Sequence, residues 1–332
     1  MSSTPSTIFL TGATGFIGAH AGEAALKAGY RVKLSIRRAE QQQKLEKLYA
    51  SYLDQLEFAI VPDLTDVDSV REALTGVDYV WHLASPMPVT GADTDVRKDY
   101  VEPAVRGTLA MLEAARAHRG IEKVIVMGSI LSLKPMGSFS STDLVVANTG
   151  EVLPVDLDME WPGGILGENV KYHASKILAH QEYRDWLEEN KPSYNVFSYH
   201  PCFVVGPDLW QDKADSVAGV NNLLWLSLQM EQPLVSSGFI DVRDVALALL
   251  RGTERDIPTG KEYLLAGDKT SWTAMAEFVK SAYPDVKVGL VPPMDRPVNV
   301  DNGPAEQDLG MKWRPMEDFV GATVEQQLSF RA

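Results

Sequence analysis

From residue 8 to residue 199, short apolar runs alternate with longer amphipathic ones. Ile8-Phe9-Leu10 leads into a glycine-rich turn and a helical stretch ending near Ala28-Gly29, where glycine suits the position just past a helix. Residues 31–36 place Val32, Leu34 and Ile36 at every second position, the period of a half-buried strand. Residues 41–53 carry Leu45, Leu48 and Leu53 at helical spacing. Strands are expected at 58–61 and 79–83 with a helix at 67–74 between them. A long helix at 96–117 and a strand at 123–127 follow. Alternation of this kind predicts an α/β fold, a doubly wound parallel sheet with helices on both faces.

After Ser129 the pattern loosens. Residues 130–168 hold Pro135, Gly137, a Ser-Thr run, Pro154, Pro162 and Gly163-Gly164, which reads as one long loop. A loop that long inside a domain typically lines or covers a site. A helix at 168–189 and a strand at 195–199 resume the alternation. Beyond Pro207 the elements shorten and prolines accumulate. The chain therefore divides into a larger domain, 1–206, with 239–252 returning to it, and a smaller lobe formed by 207–238 and 253–332. There is no internal repeat.

Gly12-Ala13-Thr14-Gly15-Phe16-Ile17-Gly18 sits between the first strand and the first helix. Glycines there let a backbone approach a pyrophosphate, while the helix N-terminus offers N–H groups and the positive end of its dipole. A tight turn with no ligand is the alternative, but the strand before and the helix after favour a Rossmann-type dinucleotide site. The end of the second strand decides which dinucleotide. NAD sites carry an acid there for the ribose 2′-hydroxyl; this chain has Arg37-Arg38, with no acid until Glu40. A guanidinium pairs with the 2′-phosphate of NADP, so NADPH is expected, with Lys44 a further cofactor candidate. Asp63 and Leu64 end the third strand, and Leu83-Ala84-Ser85-Pro86 the fourth. Both lie where open sheets bind ligands, with Asp63 a partner for adenine and the small Ala84-Ser85 leaving room for ribose.

Composition narrows the classes. The 332 residues include 45 acidic and 31 basic side chains, a net charge of −14, which argues against nucleic-acid binding. Forty-five per cent hydrophobic residues exclude a largely disordered chain. Cys202 is the single cysteine, so neither an intramolecular disulfide nor a cysteine zinc site is open to it. The histidines fall at no metal-ligand spacing, and no metal is expected. No apolar run reaches the roughly 18 residues of a membrane span. Met1 to Thr7 has no basic residue before the first apolar segment, unlike a signal peptide. A soluble, cytoplasmic protein with no membrane partner is the expectation.

Tyr172 and Lys176, four residues apart, share one face of a helix. A nearby ammonium should lower the phenol pKa from near 10 and let Tyr172 exchange a proton with a substrate oxygen. Ser129, at the carboxyl end of the strand 123–127, could orient the carbonyl beside it. In the long loop, Leu131, Met136, Phe139 and Trp161 could line an apolar pocket.

Together, the glycine turn, His82-Leu83-Ala84-Ser85-Pro86, Ser129 with Tyr172-x-x-x-Lys176, Pro201-x-x-Val204-x-Gly206-Pro207 and Asp241-Val242-Arg243-Asp244-Val245-Ala246 make the chain resemble the extended short-chain dehydrogenase/reductase superfamily. Within it, the chain is most similar to the branch of dihydroflavonol, cinnamoyl-CoA and yeast-type aldehyde (methylglyoxal) reductases. The resemblance implies an NADPH-dependent carbonyl reductase with Tyr172 as general acid. Lys176 would bind the nicotinamide ribose and Ser129 would polarise the carbonyl. It places Pro201, Phe203 and Val204 beside the nicotinamide, and Pro86, Ile130, Leu131 and Cys202 with Trp161 near substrate. Two departures stand out: Ala104 where relatives often carry a relay asparagine, and Gly128 where they often carry serine. The paucity of basic residues in the long loop suggests a small neutral carbonyl substrate, and relatives occur as monomers and homodimers. Rival readings are an NAD-dependent hydroxysteroid-type dehydrogenase, a sugar epimerase, or a non-catalytic NADP-sensing regulator.

Overall fold

The computed structural model describes residues 5–88, 94–138 and 141–331, so Met1 to Thr4 and Phe139 lie outside the described residues. Eleven strands are found among them: β1 (Thr7–Thr11), β2 (Arg31–Ile36), β3 (Leu56–Ile60), β4 (Tyr79–His82), β5 (Lys123–Met127), β6 (Ser141–Val145), β7 (Asn195–Pro201), β8 (Phe203–Val205), β9 (Phe239–Asp241), β10 (Glu262–Leu265) and β11 (Val298–Val300). Seven form one parallel sheet in the order β10-β7-β5-β4-β1-β2-β3. The order reverses between β1 and β4, and in open sheets ligands bind at the carboxyl ends of strands at such a switch. That point is the glycine turn.

Each strand has a physical cause in the sequence. β1 is buried at all five positions, as a strand covered on both faces must be. β2 alternates half-buried and buried residues. Among the described residues ten α-helices cover the sheet and build the smaller lobe: α1 (Phe16–Lys27), α2 (Glu40–Leu48), α3 (Val67–Ala73), α4 (Glu102–Arg116), α5 (Gly164–Asn190), α6 (Gly219–Gln229), α7 (Val242–Glu254), α8 (Trp272–Ala282), α9 (Gly303–Leu309) and α10 (Met316–Ser329). One face of the sheet packs on α1, α2, α7 and α9 through Ala21, Leu45, Val245 and Leu309. The other packs on α3, α4 and α5 through Val70, Met111 and Tyr183. A third core, with Trp225, Trp272, Phe239 and Phe319, unites α6, α8 and α10.

Three expectations change. The stretch 130–168 is not all loop: a 3₁₀ turn at Ile130–Leu133 and strand β6 lie within it, and α5 already begins at Gly164. β6 pairs with β11, a contact no local pattern encodes. Residues 253–332 do not belong wholly to the smaller lobe, because β10 is the edge strand of the main sheet beside β7. The segment 239–252 returns as the short strand β9, paired with β8, and as α7, which packs beside α1.

Candidate active site

Gly12 adopts φ +78°, a left-handed conformation that L side chains rarely enter, and a Cβ there would lie 3.1 Å from the Ala84 nitrogen. At Gly18 a Cβ would come within 2.0 Å of the Gly12 oxygen, so glycine is what lets α1 press against the end of β1. Gly15 caps α1 with no side chain, and no acid sits in the first turn, so nothing of the helix's own competes for its leading N–H groups. A pyrophosphate fits this cradle. The adjoining Thr14, Phe16 and Ile17 complete the turn.

Thr11, the last residue of β1, was not singled out from the sequence. Its buried hydroxyl accepts from the Leu83 and Ala84 N–H groups, 3.1 Å each, and contacts His82 Nδ1 at 3.0 Å. One hydroxyl thus pins the exit of β4 against the glycine turn. Ser85 and Pro86 follow half-buried. Asp63 is exposed and accepts from the Thr65 nitrogen and hydroxyl, while Leu64 is half-buried against the apolar core behind it.

Arg37 and Arg38 are exposed at the end of β2, their backbone nitrogens donating to Gln41 Oε1 at 2.8 and 3.2 Å. Among the described residues neither guanidinium has an ion-pair partner, although carboxylates are in large excess. Lys44 lies 4.1 Å above the ring of Trp210, whose Nε1–H donates to the Gly15 oxygen at 3.2 Å. Trp210, also missed by the sequence reading, brings the segment after Pro207 onto the glycine turn.

Ser129 follows β5 and caps the 3₁₀ turn, its hydroxyl accepting from the Leu131 nitrogen at 3.2 Å. The same hydroxyl lies near enough to the Tyr172 phenol to favour its ionised form. Lys176, one helical turn further along α5, holds its Nζ 5.5 Å from the centre of the Tyr172 ring. It also borders a polar cavity of ≈ 30 Å³ shared with Ala84, Ser85, Ser132, His82, His180 and His200. Part of Tyr172 stays accessible, yet burial pushes its phenol up to about 12 and Ser129 only partly offsets this. The expectation that Lys176 lowers that pKa is therefore corrected. Burial brings Lys176 itself down to about 8, so the site does not stabilise a resting phenolate.

Gly128 has a concrete cause. A Cβ there would meet His200 Nδ1 at 2.7 Å. The His200 ring fills the space a serine would take, its Nδ1 donating to the Ser129 carbonyl at 3.1 Å and its Nε2 contacting Ser198 Oγ at 2.8 Å. Burial, then the neighbouring His180, takes His200 down to about 3, so the ring is neutral and its tautomer is set by the carbonyl it serves. Beneath it, His180 Nε2 meets Glu262 Oε1 at 2.7 Å.

Pro201 ends β7, Phe203 is half-buried, and Val204 is buried in the core beside α1 and α7. Cys202 packs with Ile130 and Leu131 in one apolar cluster, its thiol pushed up to about 12 by burial. Trp161 does not join that cluster. It lines a separate cavity of ≈ 520 Å³ with Thr94, Arg97, Asp158 and the Glu168–Lys171 ion pair. Its place follows from α5 starting at Gly164, which carries the preceding residues to that helix end.

Comparison with known proteins bears on the family and the fold. The chain is 34% identical over 331 residues to ketoreductase sphI of Aspergillus fumigatus, covering 97% of this chain and 98% of that one. It is 25% identical over 349 residues to the NADPH-dependent methylglyoxal reductase GRE2 of Saccharomyces cerevisiae, covering 98% of each. Its fold superposes on the crystal structure of Candida albicans Gre2 in complex with NADPH with a TM-score of 0.82, at 24% identity over 99% of this chain and 100% of that one. Among the described residues no helix is long and apolar enough to cross a membrane. The NAD dependent epimerase/dehydratase family profile matches residues 8–266, and the chain belongs to that family.

Proposed function

We propose that this chain is an NADPH-dependent carbonyl reductase that converts an aldehyde or ketone to an alcohol. The observation that carries the reading is the gathering of Ser129, Tyr172 and Lys176, whose Nζ lies 5.5 Å from the Tyr172 ring centre, at the carboxyl end of the sheet where the glycine turn and Ala84 meet. When bound, NADPH supplies the hydride that goes to the carbonyl carbon. Tyr172 donates its phenolic proton to the carbonyl oxygen, and Ser129 hydrogen-bonds that oxygen and holds it in line. A phenol at about 12 is fully protonated at neutral pH, the form a reductase needs. Lys176, about 8, is mostly charged at pH 7 and stabilises the phenolate as the proton leaves.

Arg37 and Arg38, exposed and without an ion-pair partner among the described residues, support NADPH over NADH and weigh against the NAD-dependent dehydrogenase and epimerase readings. The joint presence of Ser129, Tyr172 and Lys176 weighs against a purely sensing role. Residues 207–238 with most of 253–332 form the substrate lobe in this reading. A cytoplasmic location accords with a chain that has a single, buried cysteine. The assembly is a monomer or a homodimer.

The test is Tyr172→Phe assayed by NADPH absorbance with aldehydes, diketones and aryl ketones. Turnover should fall by about 10²–10⁴-fold while NADPH affinity stays within a few-fold. An active phenylalanine enzyme removes the assigned acid.

A further inference from the structure

Lys134 is the one basic residue in the stretch that follows Ser129 up to Trp161, and it is only 3% exposed. Among the described residues its ammonium has neither a carboxylate within ion-pair distance nor a hydrogen-bond acceptor. Buried charges in proteins are paired, and a neutral amine left without partners is also costly. Burial lowers the Lys134 pKa, as expected for an unneutralised cation.

Three segments that carry the candidate site converge on this residue. Lys134 closes the 3₁₀ turn that Ser129 caps. Its carbonyl accepts from Nε2 of His173, the neighbour of Tyr172, at 3.0 Å. Its charge is felt by the Cys202 thiol, the residue after Pro201, within the cluster of Ile130 and Leu131. A cation with no ion-pair partner among the described residues therefore lies beside Cys202, in the segment that Ser129 opens and that His173 is tied to.

We propose that Lys134 recognises an ionised carboxylate on the substrate, so that the chain selects acidic carbonyl compounds over neutral ones. This rests on the reductase reading and revises its expectation of a neutral substrate. An anion beside Lys134 supplies the missing partner, and the surrounding Ile130, Leu131 and Cys202 would hold the substrate's apolar part.

The experiment compares kcat/KM for a matched pair in the NADPH-loaded enzyme. The pair is 4-oxopentanoate and its methyl ester. The acid should be preferred by about tenfold or more. Lys134→Met should abolish that preference and Lys134→Arg should keep part of it. NADPH binding by fluorescence shows that each variant is folded. Equal use of acid and neutral partner by the wild type, or a preference that survives in Lys134→Met, overturns the proposal. If Lys134→Met does not fold, wild-type inhibition by pentanoate against pentanamide decides. Stronger inhibition by the acid that weakens as pH rises sustains the proposal, and equal inhibition overturns it. NADPH oxidation with neither carbonyl strikes instead at the reductase reading itself.

Discussion

Arg37 and Arg38 concentrate positive charge where the rest of the molecule carries a net −14. Among the described residues neither guanidinium has a carboxylate partner, so a 2′-phosphate placed there would gain a charge-assisted contact that costs no internal ion pair. Arg37→Ala should lower the NADPH-over-NADH preference in kcat/KM by about tenfold or more, chiefly through NADPH KM. A preference that does not move assigns the phosphate to another group. In the proposed mechanism Lys176 sets the pH behaviour of the reduction. Its charge is present below about 8 and lost above it, so kcat/KM should be level through neutral pH and decline as pH passes 8. A flat profile to pH 10 contradicts that role.

At the scale of elements, the glycines record close approaches that only neighbours in space explain. Gly18 is the contact between α1 and the end of β1, whereas Gly128 is the gap His200 fills. Gly128→Ser should cost about 2 kcal/mol of stability, because the new side chain must displace a buried imidazole. The pair Gly128→Ser with His200→Ala should recover much of that loss in urea denaturation. Additive losses in the double variant mean the two side chains do not compete. The sequence made the βαβ alternation, the glycine turn and the Tyr172–Lys176 spacing legible, because each rests on residues close along the chain. β6 was invisible because its partner β11 is more than 150 residues away, and five residues within a Ser- and Gly-rich stretch carry no period of their own. Thr11, His200 and Trp210 act through contacts across elements, and nothing in their local sequence announces those contacts.

Across the whole molecule, β10 ties the C-terminal half to the site. Glu262 on β10 pairs with His180 on α5 and accepts from the Asn148 nitrogen at 2.8 Å, so strand, helix and the segment after β6 meet at one buried carboxylate. Burial alone would raise Glu262, but His180 holds it down to about 2 from the usual 4.5. A depressed carboxyl stabilises the fold above the unfolded value and loses that contribution as pH falls towards the folded one. About 3 kcal/mol should therefore disappear between pH 4.5 and 2, read as a falling urea midpoint. Glu262→Gln should be less stable at pH 7 and change less across that window; an acid limb as steep as in the wild type refutes the assignment.

Trp210 joins the segment after Pro207 to the Gly15 carbonyl while Lys44 rests on its ring. The indole is thus a reporter beside the turn proposed to receive the dinucleotide. Capture of coenzyme there would also set the C-terminal half, which predicts a kinetic order with nucleotide first and carbonyl second. The part of the fluorescence change that is lost in Trp210→Phe would read that order optically.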